Sequence, residues 1–432
     1  MKKIVAFLTV VAILICLFSM VGCNEVVDLD IEESESQELR QDKEQTEAPT
    51  EKPTEKPTDK KDNENKEEEK PAISDGKIYL GMTWSRSGDA SGYLDSAAVK
   101  HGVEAAIKEI NEAGGIGGLE LALLAEDDKE DVELIPELYE KLLADGMQIS
   151  LGSVDEACCE VFAENAQKDG VFTLSPSVTD RDIFEYDKFY GMDIAVMDEM
   201  DILIDYLRSL NTGKKFPIIY NGDYPYAVER KDYLLAKAPD LFTSSLVIDD
   251  EFYWDEMEWD LLDLFLEYDN FVVLDYLDNV SLDMIAGDIE FLSGEAKNFI
   301  GVCTDYDFSW GMVLDQGATV LLPFDTIDRN GDYGEFFEKY HDSHYDDNLV
   351  ALGYDSVYAI YEALLLAIEN GTQISAEMTA EEFGEILDEI FSSGFEFDAL
   401  TGGEADGRGI VTWHSDGRVK KKLVPVVIEY EW

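Results

Sequence analysis

The chain has 432 residues, of which 45% are apolar and 11% aromatic, so it can form a sizeable core, and its length favours two folded units. Its 95 acidic and 33 basic residues give a formal net charge of -62 at pH 7. This charge excludes nucleic acid as a partner class, because phosphate binding needs a basic surface. It is typical of a solvated acidic surface and, more weakly, favours cationic ligands.

The N-terminus carries an export signal. Two lysines precede an apolar stretch at residues 4–21, and Gly22 and Cys23 follow it. A charged start, an apolar middle and small residues are typical of a secretory signal peptide. The run Met20-Val21-Gly22-Cys23 resembles the bacterial lipobox, in which the cysteine is acylated, although Met20 replaces the usual leucine. We therefore expect a signal peptide at 1–22 and lipid on Cys23. The alternative is a single spanning anchor, for which the apolar run is short.

Residues 23–75 are predicted to form a disordered acidic tether rich in proline, glutamate and lysine. They are poor in aromatic residues and repeat Glu-Lys-Pro-Thr between Thr50 and Thr58. Such a segment cannot bury enough apolar surface to order itself. Its expected role is that of a flexible spacer.

Three cysteines follow Cys23: Cys158, Cys159 and Cys303. Two of them are adjacent and the set is odd, so the sequence does not indicate a disulfide framework. We expect free, buried thiols, with a Cys158–Cys303 bridge as the alternative.

Two series of alternating strands and helices follow the tether. The first has strands at 77–82, 119–125, 149–152 and 171–174 and helices at 96–113, 132–143 and 157–167. The second has helices at 197–210, 227–237, 259–267 and 281–293 and apolar strands at 216–220, 246–248, 271–274, 299–302 and 318–323. Alternation at these lengths predicts an α/β protein with two parallel sheets, each covered by helices.

Beyond Pro323 the pattern becomes helical, at 333–340, 352–368 and 380–391. The tail predicts a β-hairpin in which 409–413 pairs with 422–430, because Asp416-Gly417 tolerates the positive φ of a tight turn.

Several short motifs occur in a fixed order along this pattern. Residues 105–118 read Ala-Ala-Ile-Lys-Glu-Ile-Asn-Glu-Ala-Gly-Gly-Ile-Gly-Gly, and segments 126–128, 174–179 and 351–358 follow. From about Gly76 to Trp432 the chain resembles the type I periplasmic-binding fold, specifically the Leu/Ile/Val-binding proteins of branched-chain amino-acid ABC transporters. The resemblance implies two three-layer lobes with mostly parallel sheets, joined by three hinge crossings. We expect the N-terminal lobe at 76–194 and 324–395 and the C-terminal lobe at 195–323 and 396–432.

The resemblance also implies that the ligand binds between the lobes, at the carboxyl ends of the strands. The matching loops contain the candidate ligand-binding residues Trp84, Tyr93, Asp155, Glu156, Ser177, Thr179, Tyr224, Tyr226, Tyr276, Thr304 and Asp305. Hydroxyl and amide donors at Ser177 and Thr179 suit a carboxylate, the tyrosines suit apolar walls with a polar tip, and Asp305 suits an ammonium.

The sequence departs from the family at Asp155 and Glu156, where small hydroxyl residues usually hold the carboxylate of an amino acid. Two acids there would repel a carboxylate. Either the ligand is cationic or neutral, or the two acids turn outward and cap the following helix.

Other chemistry finds little support in the sequence. His341 and His344 lie near Asp346 and Asp347 but have no third imidazole close by, and residues 325–335 place the wrong residue types for a calcium loop. Phosphate-loop and nucleophile-elbow motifs are absent from the sequence. We therefore expect no cofactor, no metal and no enzyme activity.

The implied function is that of a solute-binding lipoprotein of an ABC importer on the extracytoplasmic face of the cell membrane. It would capture a small, amino-acid-like molecule, cationic or neutral, and deliver it to permease subunits. The alternatives are a ligand-sensing surface lipoprotein of the same fold, an extracellular hydrolase, and a structural or adhesive protein with a vestigial cleft.

Overall fold

The computed structural model describes residues 76–87, 90–222, 225–248, 267–274, 297–302, 318–323, 331–404 and 407–428. Several predictions fall outside these ranges: the signal peptide, Cys23, the tether, Cys303, Tyr224, Tyr276, Thr304, Asp305 and nearly all of the two helices at 259–267 and 281–293.

The first sheet is five-stranded and parallel throughout. Its strands are β1 (Lys77–Trp84), β2 (Glu120–Asp127), β3 (Ile149–Ser153), β4 (Thr173–Ser175) and β5 (Phe189–Gly191), in the order β2-β1-β3-β4-β5. Strand β3 is buried at every residue, as expected where helices cover both faces of a parallel sheet.

Three helices connect these strands: α1 (Ala90–Glu112), α2 (Ile135–Ala144) and α3 (Glu156–Asp169). Local sequence signals fix both ends of α3. The Asp155 side chain caps its first turn, and Gly170 ends it with a φ of 66°, which suits glycine. A short 3-10 helix at Arg181–Glu185 lies between β4 and β5.

The second sheet contains β6 (Phe216–Asn221), β7 (Phe242–Ile248), β8 (Asn270–Leu274), β9 (Asn298–Val302) and β10 (Ala318–Leu322). All five are parallel, in the order β10-β9-β8-β6-β7. Helix α4 (Val196–Ser209) precedes β6, and α5 (Pro225–Lys237) joins β6 to β7. The prediction of two mostly parallel sheets is confirmed.

Helices α6 (Gly331–Tyr340), α7 (Asp347–Glu369) and α8 (Ala380–Ser392) return to the first sheet. By length and composition α7 could cross a membrane, but most of it is buried in the fold, as in the core helix of a soluble domain. It packs closely on α1, where Gly353 lies against the backbone of Val99 and Gly102 against that of Val350.

The tail forms two separate structures. Strands β11 (Phe397–Ala399), β12 (Gly409–Trp413) and β13 (Val419–Lys420) make a small antiparallel sheet, whereas β14 (Val424–Ile428) pairs antiparallel with β10. The predicted pairing of 409–413 with 422–430 is therefore wrong. The turn at Gly417, with a φ of 89°, was expected correctly, but the short β13 takes the pairing and β14 completes the second sheet.

The small sheet packs on the first sheet. Trp413 Nε1 donates a 2.7 Å hydrogen bond to the carbonyl oxygen of Gly191, and its ring lies 4.5 Å from that of Phe391. The chain passes from the first sheet to the second between β5 and α4, returns between β10 and α6, and passes again between β13 and β14. The lobe boundaries and a hinge function for these passages stay predictions.

Candidate functional site

The strand order places a topological switch point in each sheet. In the first sheet β2 lies on one side of β1 and β3 on the other, and in the second sheet β7 and β8 flank β6 in the same way. The carboxyl ends of strands at such a point leave a crevice that binds ligands in open α/β sheets. Of the candidate residues, Trp84 ends β1, and Asp155 and Tyr226 follow β3 and β6.

The end of β1 presents an aromatic pair. The rings of Trp84 and Tyr93 lie 6.5 Å apart, Trp84 is half-buried and Tyr93 is 39% exposed. The ammonium of Lys100 lies 5.1 Å above the Trp84 ring. This pair supplies an apolar surface whose faces attract cations.

Carboxylates at the end of β2 secure the neighbouring loops. The buried Ser153 hydroxyl donates a 2.8 Å hydrogen bond to the buried Asp128, and Asp127 accepts hydrogen bonds from the amide of Arg86 and the hydroxyl of Ser87. Partial burial acts to raise the pKa of Asp127, but these hydrogen bonds hold it below its usual value. Both carboxylates therefore have a structural role in shaping the crevice.

Asp155 caps helix α3. Its Oδ1 atom accepts a 2.9 Å hydrogen bond from the amide of Cys158. The capping alternative raised by the sequence thus describes this residue, and its carboxylate stabilises the helix start.

Glu156 points the other way, into the loop after β4. Its Oε1 atom accepts hydrogen bonds from the Thr179 amide (2.8 Å), the Thr179 hydroxyl (2.8 Å) and the Asp180 amide (2.9 Å). The Ser177 hydroxyl donates to the carbonyl oxygen of Val154 at 3.1 Å. The donors that the sequence analysis assigned to a ligand carboxylate are therefore bonded within the protein.

Tyr226 lies in the first turn of α5, on the second sheet, and is 57% exposed. The negative charge of Glu156 raises its pKa, with further contributions from partial burial and from Asp180. The charges on the loops of the first sheet therefore act on this phenol. The structure brings Glu156 and Thr179 into direct contact and places Tyr226 within reach of the charge of Glu156, and Trp84 and Tyr93 form an aromatic pair at the end of β1.

A buried charge network, which sequence reasoning missed, lies beside the chain passages. Lys421 is 3.8 Å from Asp193, and Arg230 is 3.5 Å from the buried Glu199. Buried ions are rare unless paired. The sequence gives no signal for this network, because charged residues are common throughout the chain.

Asp198, at the start of α4, links three segments. Arg418 Nη1 donates to it at 2.7 Å, and Arg181 also bonds it. Arg181 belongs to the 3-10 helix of the first sheet and Arg418 to the turn before β13. This carboxylate therefore connects α4 with the first sheet and with the small antiparallel sheet.

The two histidines after α6 bind different carboxylates. His341 Nδ1 lies 2.9 Å from Asp347 and His344 Nδ1 lies 2.6 Å from Asp342. Across the described ranges, histidine, cysteine and carboxylate side chains do not converge in groups of three or more that could hold a metal ion.

Cys158 and Cys159 are buried free thiols, as predicted. Burial raises the pKa of both, that of Cys159 to about 12. They lie in the first turn of α3, and a raised pKa favours the protonated thiol, which is a poor nucleophile.

Comparison with known proteins now identifies the architecture. Residues 77–243 match the family model of a periplasmic binding protein. The chain has the type I periplasmic-binding fold. The fold that the sequence resemblance implies is thereby confirmed.

Two solved structures share this type I periplasmic-binding fold across most of the chain. A putative branched-chain amino acid ABC transporter protein from Rhodospirillum rubrum has a TM-score of 0.63 and 14% identity, covering 82% of this chain and 98% of that one. An ABC transporter substrate-binding protein from Desulfitobacterium hafniense in complex with Leu has a TM-score of 0.58 and 19% identity, covering 81% and 96%. At these identities the likeness shows the fold.

Curated relatives match over shorter segments. The Leu/Ile/Val-binding protein homolog 1 of Brucella abortus is 36% identical over 87 residues, which cover 19% of this chain. The Leu/Ile/Val-binding protein BraC3 of Rhizobium johnstonii is 26% identical over 111 residues, or 26% of this chain. The chain thus spans 22% of the length of the first relative and 30% of the second.

Proposed function

We propose that this protein is an extracytoplasmic solute-binding lipoprotein of an ABC importer that captures a small, amino-acid-like molecule between two lobes. The observation that carries the proposal is the position of Tyr226. It follows β6 of the second sheet, and the negative charge of Glu156, which follows β3 of the first sheet, is the main cause of its raised pKa. A crevice with polar groups on both walls is the usual site of a small ligand in open α/β proteins.

Capture would proceed by closure. A ligand that contacts both walls binds the closed form better than the open form, so it shifts the population toward closure. The passages between β5 and α4 and between β13 and β14 are the segments that would bend. The closed form would then be the one that permease subunits recognise.

A solute screen tests this function. Titration with amino acids, amines and neutral sugars should reveal solutes that raise the melting temperature, because a ligand at 100 times its Kd stabilises the native state by roughly 2.7 kcal/mol. The same solutes should reduce the radius of gyration in small-angle scattering. A flat response in both measurements across the screen would contradict the proposal.

Membrane anchoring through Cys23 has its own test. The Cys23→Ser variant should leave the membrane fraction and lose incorporation of labelled palmitate. Cys16→Ser is the matched control, because Cys16 lies within the apolar part of the predicted signal, and it should stay lipidated. Equal palmitate incorporation in wild type and Cys23→Ser would show that Cys23 is not the anchor.

A further inference from the structure

The loop after β4 presents a set of convergent donors. The Thr179 amide, the Thr179 hydroxyl and the Asp180 amide all bond one oxygen of Glu156. Backbone amides and a hydroxyl that converge on one point form an anion-binding site, and charge-assisted hydrogen bonds to a carboxylate are stronger than neutral ones. The anion that fills this site is part of the protein itself.

The carboxylate is held in place from both sides. Glu156 is the first residue of α3, where the helix dipole favours negative charge, and the neighbouring Asp155 is occupied with capping the same helix. An incoming carboxylate would have to displace Glu156 and leave it charged in a half-buried position. The site therefore disfavours carboxylates twice, by occupancy and by repulsion.

Two nearby cations form ion pairs with other acids. Arg181 pairs with Asp198, and Arg230 pairs with Glu199. Asp180 adds a further negative charge. The charges of Glu156 and Asp180 raise the pKa of Tyr226 on the opposite wall, and the smaller opposing effect of Arg230 does not reverse this shift. The space between Glu156 and Tyr226 thus has a negative potential, which suits an ammonium group.

We propose that Glu156 is an internal substitute for a ligand carboxylate, and that the cleft takes an amine that lacks a carboxylate at this end. The inference rests on the proposed function, since it names the ligand class of the same site. It assigns specificity to one side chain. The Thr179 donors are filled before the ligand arrives, and the ligand ammonium binds beside the Glu156 carboxylate.

Occupancy is tested without knowing the ligand, with acetate as the probe. Full-length protein is labelled with 15N-threonine, and the Thr179 amide signal is assigned by its loss in Thr179→Ser. In wild type, acetate should leave this signal unmoved. In Glu156→Ala the donors are vacant, so acetate should shift it in a saturable way, at an affinity at least about tenfold higher than in wild type. Movement of the wild-type signal equal to that of Glu156→Ala would overturn the proposal.

Charge and occupancy are separated by a second variant. Glu156→Gln keeps an oxygen that accepts from Thr179 but lacks the charge, so it should still block acetate while losing affinity for amines. Glu160→Ala is the matched control, because it removes an exposed carboxylate one turn along α3 and should leave both properties unchanged. Circular dichroism of each variant is the check that its fold is intact.

Ligand class is tested with pairs that differ only in the carboxylate: L-leucine against isoamylamine and L-arginine against agmatine. Wild type should bind the decarboxylated member of a pair at least about tenfold more tightly than the amino acid. In Glu156→Ala this ratio of affinities should become smaller or reverse. Tighter binding of L-leucine or L-arginine by wild type would overturn the proposal. If no solute of the wider screen binds, the proposed function fails, and the acetate comparison still decides whether Glu156 fills the donors.

Discussion

The Nζ atom of Lys421 lies 3.8 Å from the Oδ1 atom of Asp193, and both side chains are buried. Asp193 lies on the passage between β5 and α4, and Lys421 on the passage between β13 and β14. The ammonium also lies 3.3 Å from the Thr401 hydroxyl, which donates to the buried Asp355 at 2.8 Å. One cation thus joins two of the three chain passages between the sheets.

Replacing Lys421 with Met should lower the free energy of unfolding by about 3 kcal/mol, because removing one partner of a buried ion pair is strongly destabilising. Urea denaturation of the full-length protein measures this change. Lys420→Met is the control, since Lys420 is exposed on β13, and it should change the free energy of unfolding by less than about 0.5 kcal/mol. Equal midpoints for the two variants would show that the buried pair contributes no stability.

Asp346 should make stability depend on pH. Its side chain caps α7 by accepting hydrogen bonds from the amides of Asn348 and Leu349, but burial raises its pKa to about 7. Because the pKa is higher in the folded state than in the unfolded state, this group stabilises the fold at low pH. That contribution is lost as the pH rises from about 4 through 7. Asp346→Asn keeps a capping oxygen and should remove this pH dependence.

Between pH 5 and 8 the free energy of unfolding should fall by roughly 1 kcal/mol. This loss is smaller than the full pKa shift would give, because Asp346 is only partly buried. Urea midpoints at several pH values measure it. Asp342→Asn in the same loop is the control. Hydrogen bonds from His344 hold the pKa of Asp342 below its usual range, so that carboxylate stays ionised throughout the window. If the urea midpoint of wild type changed with pH in parallel with that of Asp346→Asn, Asp346 would not be the source of the pH dependence.

The fold was predictable where local signals are strong. The apolar runs at β1, β3, β6 and β8 and the glycines after α1 and α3 specify strands and helix ends with little help from the rest of the chain. Strands β5 and β11 were missed because each has three residues and too little periodicity to be distinguished from a loop. The partner of β14 was predicted wrongly because an alternating pattern defines a strand but not the edge it joins.

The sequence predicts which loops form the candidate site but not which side chains bond to each other within it. Strand order along the sequence indicates which loops meet at the switch points. Trp84 ends β1, and Glu156 and Tyr226 follow β3 and β6, but their part in ligand binding stays a prediction. Which acid caps the helix and which one fills the Thr179 donors depends on side-chain direction. Asp155 and Glu156 are adjacent and chemically alike, so the sequence alone could not divide the two roles between them.

The close contact between α1 and α7 should be sensitive to one added methyl group. A Cβ at Gly353 would overlap the backbone oxygen of Val99. Gly353→Ala should therefore lower the free energy of unfolding by about 2 kcal/mol, since overpacking a core forces backbone shifts. Glu104→Ala, on the exposed face of α1, should have little effect in the same urea experiment. A fully stable Gly353→Ala protein would show that the two helices can separate without loss.

Tyr226 should affect ligand capture and leave stability unchanged. Because the side chain is 57% exposed, Tyr226→Ala should change the free energy of unfolding by less than about 0.5 kcal/mol. It should nevertheless reduce the melting-temperature increase caused by solutes that stabilise wild type, since it removes the contact from the second wall. Tyr226→Phe separates the ring from the hydroxyl, and Ile410→Ala, at a side chain 55% exposed on β12, is the control. If Tyr226→Ala keeps the full ligand-induced increase and the same compaction in scattering, the ligand does not bridge the walls through this residue.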